Sequence, residues 1–207
     1  MARKVKKLSQ NRPRIKTSPV RLIHIFTEGS TTEKEYIKAF RDYLDSNFLI
    51  RYKFTIKVHS SEGKSSPKNL QSRIIQTLNS SEAEYLTECW VLIDRDSWPN
   101  KQISDLISLG GKFKALSRYE VLISEPKFEI WLLYHFGDAK GVSTDRDVDR
   151  EIKKHIPNYD KHVSSSAVCF ENIDAVIALA KQKYDQNEHA KTSVYKLCEH
   201  LLALAQN

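Results

Sequence analysis

Carboxylates placed where apolar runs stop are the residues of this chain best suited to chemistry. Arg21-Leu22-Ile23-His24-Ile25-Phe26 runs into Thr27-Glu28-Gly29-Ser30-Thr31-Thr32-Glu33, and Cys89-Trp90-Val91-Leu92-Ile93 runs into Asp94-Arg95-Asp96. Asp94 and Asp96 are separated by one residue, so in an extended segment both side chains point to the same face. Two carboxylates held that close repel, and a divalent cation is the usual way to offset the repulsion. The structural alternative is that Arg95 neutralises one of the pair. Glu28 is followed by Gly29, whose missing side chain lets a ligand or metal approach the backbone, and a carboxylate there suits a hard oxygen ligand. Glu33 has two readings. Ser30-Thr31-Thr32-Glu33 fits a capping box, in which the Glu closes a helix start; otherwise Glu33 joins Glu28 in the chemistry.

A third acid stands out by its surroundings. In Ser124-Glu125-Pro126-Lys127-Phe128-Glu129-Ile130-Trp131-Leu132-Leu133-Tyr134-His135-Phe136, Pro126 fits the first helical position, and the helix behind it is apolar on nearly every side. Such a helix is buried, so an ionised Glu129 without a partner would cost several kcal/mol or more. Glu129 is therefore expected to have a metal or a basic group beside it. Helix capping accounts better for Glu125, and His135 reads as a histidine at the edge of the core.

The elements that must position these acids follow from periodicity. Short apolar runs rich in branched residues predict strands at 21–26 and 89–93, and alternation predicts one at 54–58. Val121-Leu122-Ile123 is a short fourth strand. Helices are expected at 32–43, from Pro67 with Leu70, Ile74, Ile75 and Leu78 at helical spacing, at 101–109 until Gly110-Gly111, and at 127–136. Strands alternating with helices predict an α/β fold with a mostly parallel sheet, and acids at strand ends would sit on its usual ligand face. Beyond Phe136 strand signals disappear, and helices are expected at 146–155, 171–186 and 192–205. The chain thus divides into a flexible basic arm (1–20), an α/β domain (21–136) and a helical C-terminal portion packed on the same domain (137–207).

Composition narrows the function classes. The 207 residues are 40% hydrophobic with three Trp, as expected of a folded protein, and no apolar run approaches the length of a membrane span. The net charge is +7, and eight basic residues with no acid lie between Met1 and Arg21, leaving the rest close to neutral. Such an arm, with Arg12 and Arg14 at its centre, can attract a phosphate backbone by counterion release, or it can serve as a solvated tail. Asn11, Arg12, Pro13 and Arg14 interrupt any apolar stretch behind it, so it is not a secretory signal. Cys89, Cys169 and Cys198 lie far apart without CxxC spacing and read as reduced, mostly buried thiols of a cytoplasmic protein. There is no HExxH, G-x-S-x-G, Walker A or Rossmann glycine fingerprint. Ser61-Glu62-Gly63-Lys64-Ser65-Ser66 lacks the upstream glycine of a phosphate loop, so it is read as a flexible loop whose Lys64 meets phosphate only through its position.

Glu28-Gly29-Ser30-Thr31-Thr32-Glu33, Asp94-Arg95-Asp96-Ser97-Trp98-Pro99-Asn100 and Glu125 to Phe136 together resemble the RloB family, over about residues 20 to 205. These are bacterial proteins encoded near restriction-modification and abortive-infection genes, often beside an ABC-type ATPase. The family looks like a divergent Toprim-type domain related to the nuclease half of overcoming-lysogenization-defect proteins. The resemblance implies a Toprim-like sheet, a nuclease activity and a role in antiphage defence. Glu28, Asp94 and Asp96 match its first-strand Glu and later DxD, Glu33 matches the second acid of its E-G-x-x-T-E motif, and Glu129 matches the acid of P-x-F-E-x-W-L-L-x-H-F. The chain departs from the family at Glu125-Pro126-Lys127, where Asn-Pro-Cys is common, and at His189-Ala190-Lys191-Thr192-Ser193, where Asn-Pro-Ser-Thr-Thr is common. Lys127 could restore a cation near the scissile phosphate.

The leading expectation is a Mg²⁺- or Mn²⁺-dependent phosphodiesterase acting on DNA or RNA. Glu28, Asp94, Asp96 and Glu129 would hold metal, Glu33 and Glu129 would complete a second site or orient water, and Lys64, Arg95, Lys127, Arg12 and Arg14 would contact nucleic acid. An RloA-like ABC-type ATPase and a second copy of the chain are the expected protein partners, and no membrane is involved. The alternative is a nucleic-acid-binding or adaptor subunit that acts only with the ATPase. A third reading, a DxD phosphatase of the haloacid dehalogenase type, wants its DxD on the first strand, whereas this one lies on a later strand.

Overall fold

Leu22 to Phe26 and Thr87 to Ile93 are buried without interruption, the pattern of central strands covered on both faces, whereas Phe54–His59 buries only alternate residues at first, as an edge strand does. The structure is a computed structural model that describes residues 21–50, 53–61, 66–80, 86–95, 98–164 and 167–207. Its strands are β1 (Arg21–Thr27), β2 (Phe54–His59), β3 (Thr87–Asp94), β4 (Arg118–Glu125) and β5 (Lys191–Thr192). Its helices are α1 (Thr32–Phe48), α2 (Pro67–Asn79), α3 (Asn100–Ser108), α4 (Glu129–Tyr134), α5 (Asp145–His155), α6 (Ile173–Asp185) and α7 (Tyr195–Gln206). The sheet runs in the order β2-β1-β3-β4-β5, with β1 to β4 mutually parallel and β5 antiparallel to β4. The mostly parallel, helix-flanked α/β architecture expected from the alternation of elements is the one observed.

Side chains alternate across the sheet into two cores. On one face Ile23, Ile25, Trp90 and Leu92 pack with α1, α4, α6 and α7, so the C-terminal helices share a core with the sheet. On the other, Phe26, Cys89, Val91 and Ile93 pack with Leu70, Ile74 and Leu78 of α2 and Ile103 and Leu106 of α3. The chain leaves β1 toward β2 on one side and returns to β3 on the other. That reversal opens a crevice outside the carboxyl ends of β1 and β3, the usual place for a ligand in such sheets.

Several boundaries differ from the periodicity reading. Helix α1 runs on to Phe48, β4 is eight residues rather than three, and a 3₁₀ turn at Leu109–Lys112 carries the chain past Gly110-Gly111. Helix α4 starts at Glu129 and not at Pro126; a cis Glu125–Pro126 peptide and a turn through Lys127 and Phe128 precede it. The region after Phe136 supplies the short edge strand β5, whose two residues are too few to make a periodic signal. Among the described residues no helix is long and apolar enough to cross a membrane. Cys89 and Cys198 are buried and Cys169 is exposed, all as free thiols. The basic arm with Arg12 and Arg14, as well as Lys64 and Asp96, lie outside the described residues.

Candidate functional site

The crevice between β1 and β3 holds the acids. Glu28 follows the last residue of β1 and is tied to β3 twice, its N–H donating to Leu92 O at 3.0 Å and its Oε2 accepting from Asp94 N at 3.1 Å. Asp94 ends β3, and the neighbouring Arg95 N–H continues the ladder to Ser124 O at 2.8 Å. Parallel pairing of β1 with β3 therefore brings together residues 66 positions apart in the chain.

Glu33 and Glu129 enter the same cavity from α1 and α4, together with Ser61, Lys127 and Lys161; the open space measures about 280 Å³. Glu33 is buried, and its Oε1 accepts from Gly29 N at 3.1 Å. The capping box Ser30–Glu33 would have used the N–H of Ser30; the residue that caps α1 is instead Thr31, without any side-chain bond, and Glu33 closes the turn one residue before Ser30. The open space expected at Gly29 is taken by this carboxylate: a Cβ on Gly29 would lie 2.2 Å from Glu33 Oε2. Glycine is needed there to admit Glu33, not an incoming ligand.

Glu129 is buried, and the side chain that the fold sets against it is a phenol, Tyr159 Oη donating to Oε1 at 2.9 Å. Tyr159 Oη also meets Thr32 Oγ1 at 3.1 Å, and Thr32 Oγ1 donates to Lys161 O at 2.8 Å. A loop from the C-terminal portion is thus laced across the start of α1. Nothing in the sequence singled out Tyr159 or Lys161, and Thr32 and Ser61 entered only as members of motifs read for other residues. Tyr159 and Lys161 sit in a polar stretch after Pro157 with no periodicity, and only the fold carries them to the acids.

Electrostatically the cavity is under stress. Burial first, and then the charges of Glu33, Glu129 and Glu28, push the Asp94 carboxyl up to about 9. Burial likewise raises Glu33, with Glu129 adding to the rise; its backbone hydrogen bonds and Lys161 offset part of it. Carboxylates crowded together without enough counter-charge are costly, and such arrangements cluster at sites of function.

The cations expected near the acids are differently engaged. Lys127 lines the cavity, but its ammonium pairs with Asp149 Oδ1 at 2.5 Å. Among the described residues Arg95 makes no salt bridge to Asp94, and Asp96 lies outside them; Arg95 faces Glu125 Oε1 at 3.6 Å and also bonds Trp98 O and the Asn100 side chain. Glu125 is no helix cap, since Arg95 and Lys191 hold it, the latter at 3.3 Å. His135 bridges Tyr36 Oη and Cys169 O at 3.1 Å each, and burial lowers it to about 4, as suits a neutral structural histidine.

Hard oxygen donors of like charge around one cavity suit a hard divalent cation such as Mg²⁺ or Mn²⁺. The fit is one of donor chemistry: among the described residues no three acid, imidazole or thiol groups already converge in ligating geometry. A family model described as RloB-like protein matches residues 23–201. No curated protein and no solved structure matches the chain.

Proposed function

The chain belongs to the RloB-like protein family, and from that premise we propose that it is a metal-dependent nuclease hydrolysing phosphodiester bonds of DNA or RNA. The observation that carries the proposal is the setting of Asp94: at the sheet's reversal point it shares one cavity with Glu28, Glu33 and Glu129, and burial and those acids push its carboxyl up to about 9. Glu28 and Asp94, each anchored at a strand end, would hold Mg²⁺ or Mn²⁺, with Glu129 as a further ligand. A cation held by these residues would supply Lewis acidity toward a water and toward the phosphate oxygens.

The chain's own groups then have separate tasks. The hydrogen bond from Asp94 N fixes the Glu28 carboxylate against β3, so the group is oriented before any ligand arrives. Tyr159 holds one oxygen of Glu129, and Gly29 N holds one of Glu33, leaving the other oxygen of each to orient a water or a second ligand. A role in bacterial antiphage defence, restriction-linked and beside an RloA-like ATPase, follows from the Toprim-like resemblance of the three motifs and belongs to the same proposal. The test is incubation of the pure chain with plasmid, linear DNA and tRNA in Mg²⁺ and Mn²⁺. Cleavage is expected, with Glu28→Gln and Asp94→Asn inactive; cleavage untouched by both substitutions refutes the site.

One observation favours a second reading. Because no ligating triad is already formed among the described residues, the chain can be a nucleic-acid-binding subunit whose acids close only in complex with an ATPase. Oligonucleotide binding without turnover, and cleavage appearing only on adding the ATPase, would select this reading over the first.

A further inference from the structure

We propose that Lys161 is a substrate-binding residue that receives a phosphate oxygen beside the four acids, and that loop 158–163 exists to hold it there. The inference rests on the phosphodiesterase reading of the cavity and deepens it. Fixed positive charge that meets the phosphate oxygens a divalent cation leaves uncovered favours the approach of a polyanion to a cluster of carboxylates.

The two lysines of the cavity differ in availability. Lys127 is committed to Asp149, whereas the ammonium of the exposed Lys161 makes no salt bridge within 4.0 Å among the described residues. Its backbone is in the left-handed region, at φ 75°, and Asn158 three residues earlier is at φ 66°. Asparagine tolerates that region; for lysine it costs about 1 kcal/mol and persists only where neighbours over-determine it. Those neighbours are explicit. Thr32 Oγ1 donates to Lys161 O at 2.8 Å, Val163 N donates to Glu35 Oε2 at 2.7 Å, and His162 Nδ1 meets Glu35 Oε1 at 2.8 Å. Helix α1, which carries Glu33 into the cavity, thereby also clamps the loop on both sides of the lysine. A lysine needed only for solubility would not be held in a strained conformation at the mouth of an acidic cavity.

The competing account is that Lys161 merely screens Glu33, whose charge it favours. Binding separates the two. Fluorescein-labelled DNA and RNA oligonucleotides are titrated in Ca²⁺ over a salt series with the whole chain, Lys161→Met, Lys161→Arg and, as a charge-matched control on the exposed face of α6, Lys181→Met. Lys161→Met keeps the backbone conformation possible to the same degree as lysine, and its melting temperature is checked. The expected result is about tenfold weaker binding for Lys161→Met and a salt slope smaller by about one contact, with Lys161→Arg close to the unaltered chain and Lys181→Met unchanged. Equal binding by Lys161→Met, an equal loss in Lys181→Met, or no oligonucleotide binding by the unaltered chain overturns the assignment. A Lys161→Met chain that binds oligonucleotide as before but binds Ca²⁺ more tightly identifies the screening role instead. Loss of binding in Lys161→Met, with no Mn²⁺-dependent cleavage by the unaltered chain, leaves Lys161 as a phosphate contact and removes the nuclease reading. Cleavage that persists with unchanged binding in Lys161→Met does the reverse.

Discussion

The two ends of the sheet each bury carboxylates, and they treat them in opposite ways. At the amino end, Glu88 of β3 is fully buried, and three groups meet it: the Arg21 guanidinium, Trp90 Nε1 at 3.0 Å and His200 Nε2 of α7 at 2.8 Å. Burial acts to raise that carboxyl, but the hydrogen bonds from His200 and Trp90 and the nearby positive charge outweigh it and hold the group down to about 2. At the carboxyl end, Asp94 is pushed the other way, up to about 9, by burial and by three other acids. One end uses a buried charge as a fastener between β1, β3 and α7, while the other crowds four acids into one cavity. A fold tolerates such crowding where something that arrives later relieves it.

The sharpest break of this contrast is Asp94→Asn. It is expected to abolish Mn²⁺-dependent cleavage by on the order of 10³-fold, the scale of losing an electrostatic group at a reacting centre. In chelator at neutral pH the same variant should melt higher than the unaltered chain, since a carboxyl held up to about 9 must take up a proton on folding and asparagine need not. Glu88→Ala should give the opposite pair of results. Stability falls by about 3 kcal/mol because cationic partners are left beside an empty site, as read by urea unfolding, while cleavage per folded molecule is retained.

Smaller changes sharpen the picture. Tyr159→Phe withdraws the hydroxyl that orients Glu129, and cleavage should fall about 10- to 100-fold with the fold intact by circular dichroism. Gly29→Ala displaces the Glu33 carboxylate through its Cβ, with about a tenfold loss of cleavage and little change in melting temperature expected. The smallest effect is in the acid limb of stability. The folded-state value of Glu88 lies below its ordinary 4.5, so its contribution is complete above about 4.5 and is lost as pH falls toward 2. Glu88→Gln should flatten urea midpoints measured across that window and leave those between pH 5 and 7 parallel to the unaltered chain.

Much of the site was legible because its acids are marked locally. Glu28 and Asp94 stand at the ends of runs whose hydrophobicity alone declares them buried strands, and Glu129 is conspicuous as an acid in an apolar helix. What could not be read were the relations that depend on a distant partner. The sequence demanded a partner for Glu129 without pointing to Tyr159, which the fold brings in from thirty residues on. It suggested open space at Gly29, and Glu33 occupies it. It suggested a cap for Glu125, and two cations hold it instead. Arg21 and Glu88, the strongest pairing at the amino end, drew no notice, because a charge at the start of a strand looks the same whether it meets solvent or another strand.

By itself the sequence determined the alternation of strands and helices, the burial of β1 and β3, and the position of acids at their carboxyl ends, since the spacing of apolar residues sets which backbone groups must be hydrogen-bonded within an element and which faces must leave water. Only the tertiary structure decided that β1 lies beside β3, that Glu28 therefore reaches Asp94, and that a polar loop from beyond α5 closes over them with Tyr159 and Lys161. Those outcomes depend on how whole faces of the sheet pack against helices far along the chain, and no local pattern of residues carries that information.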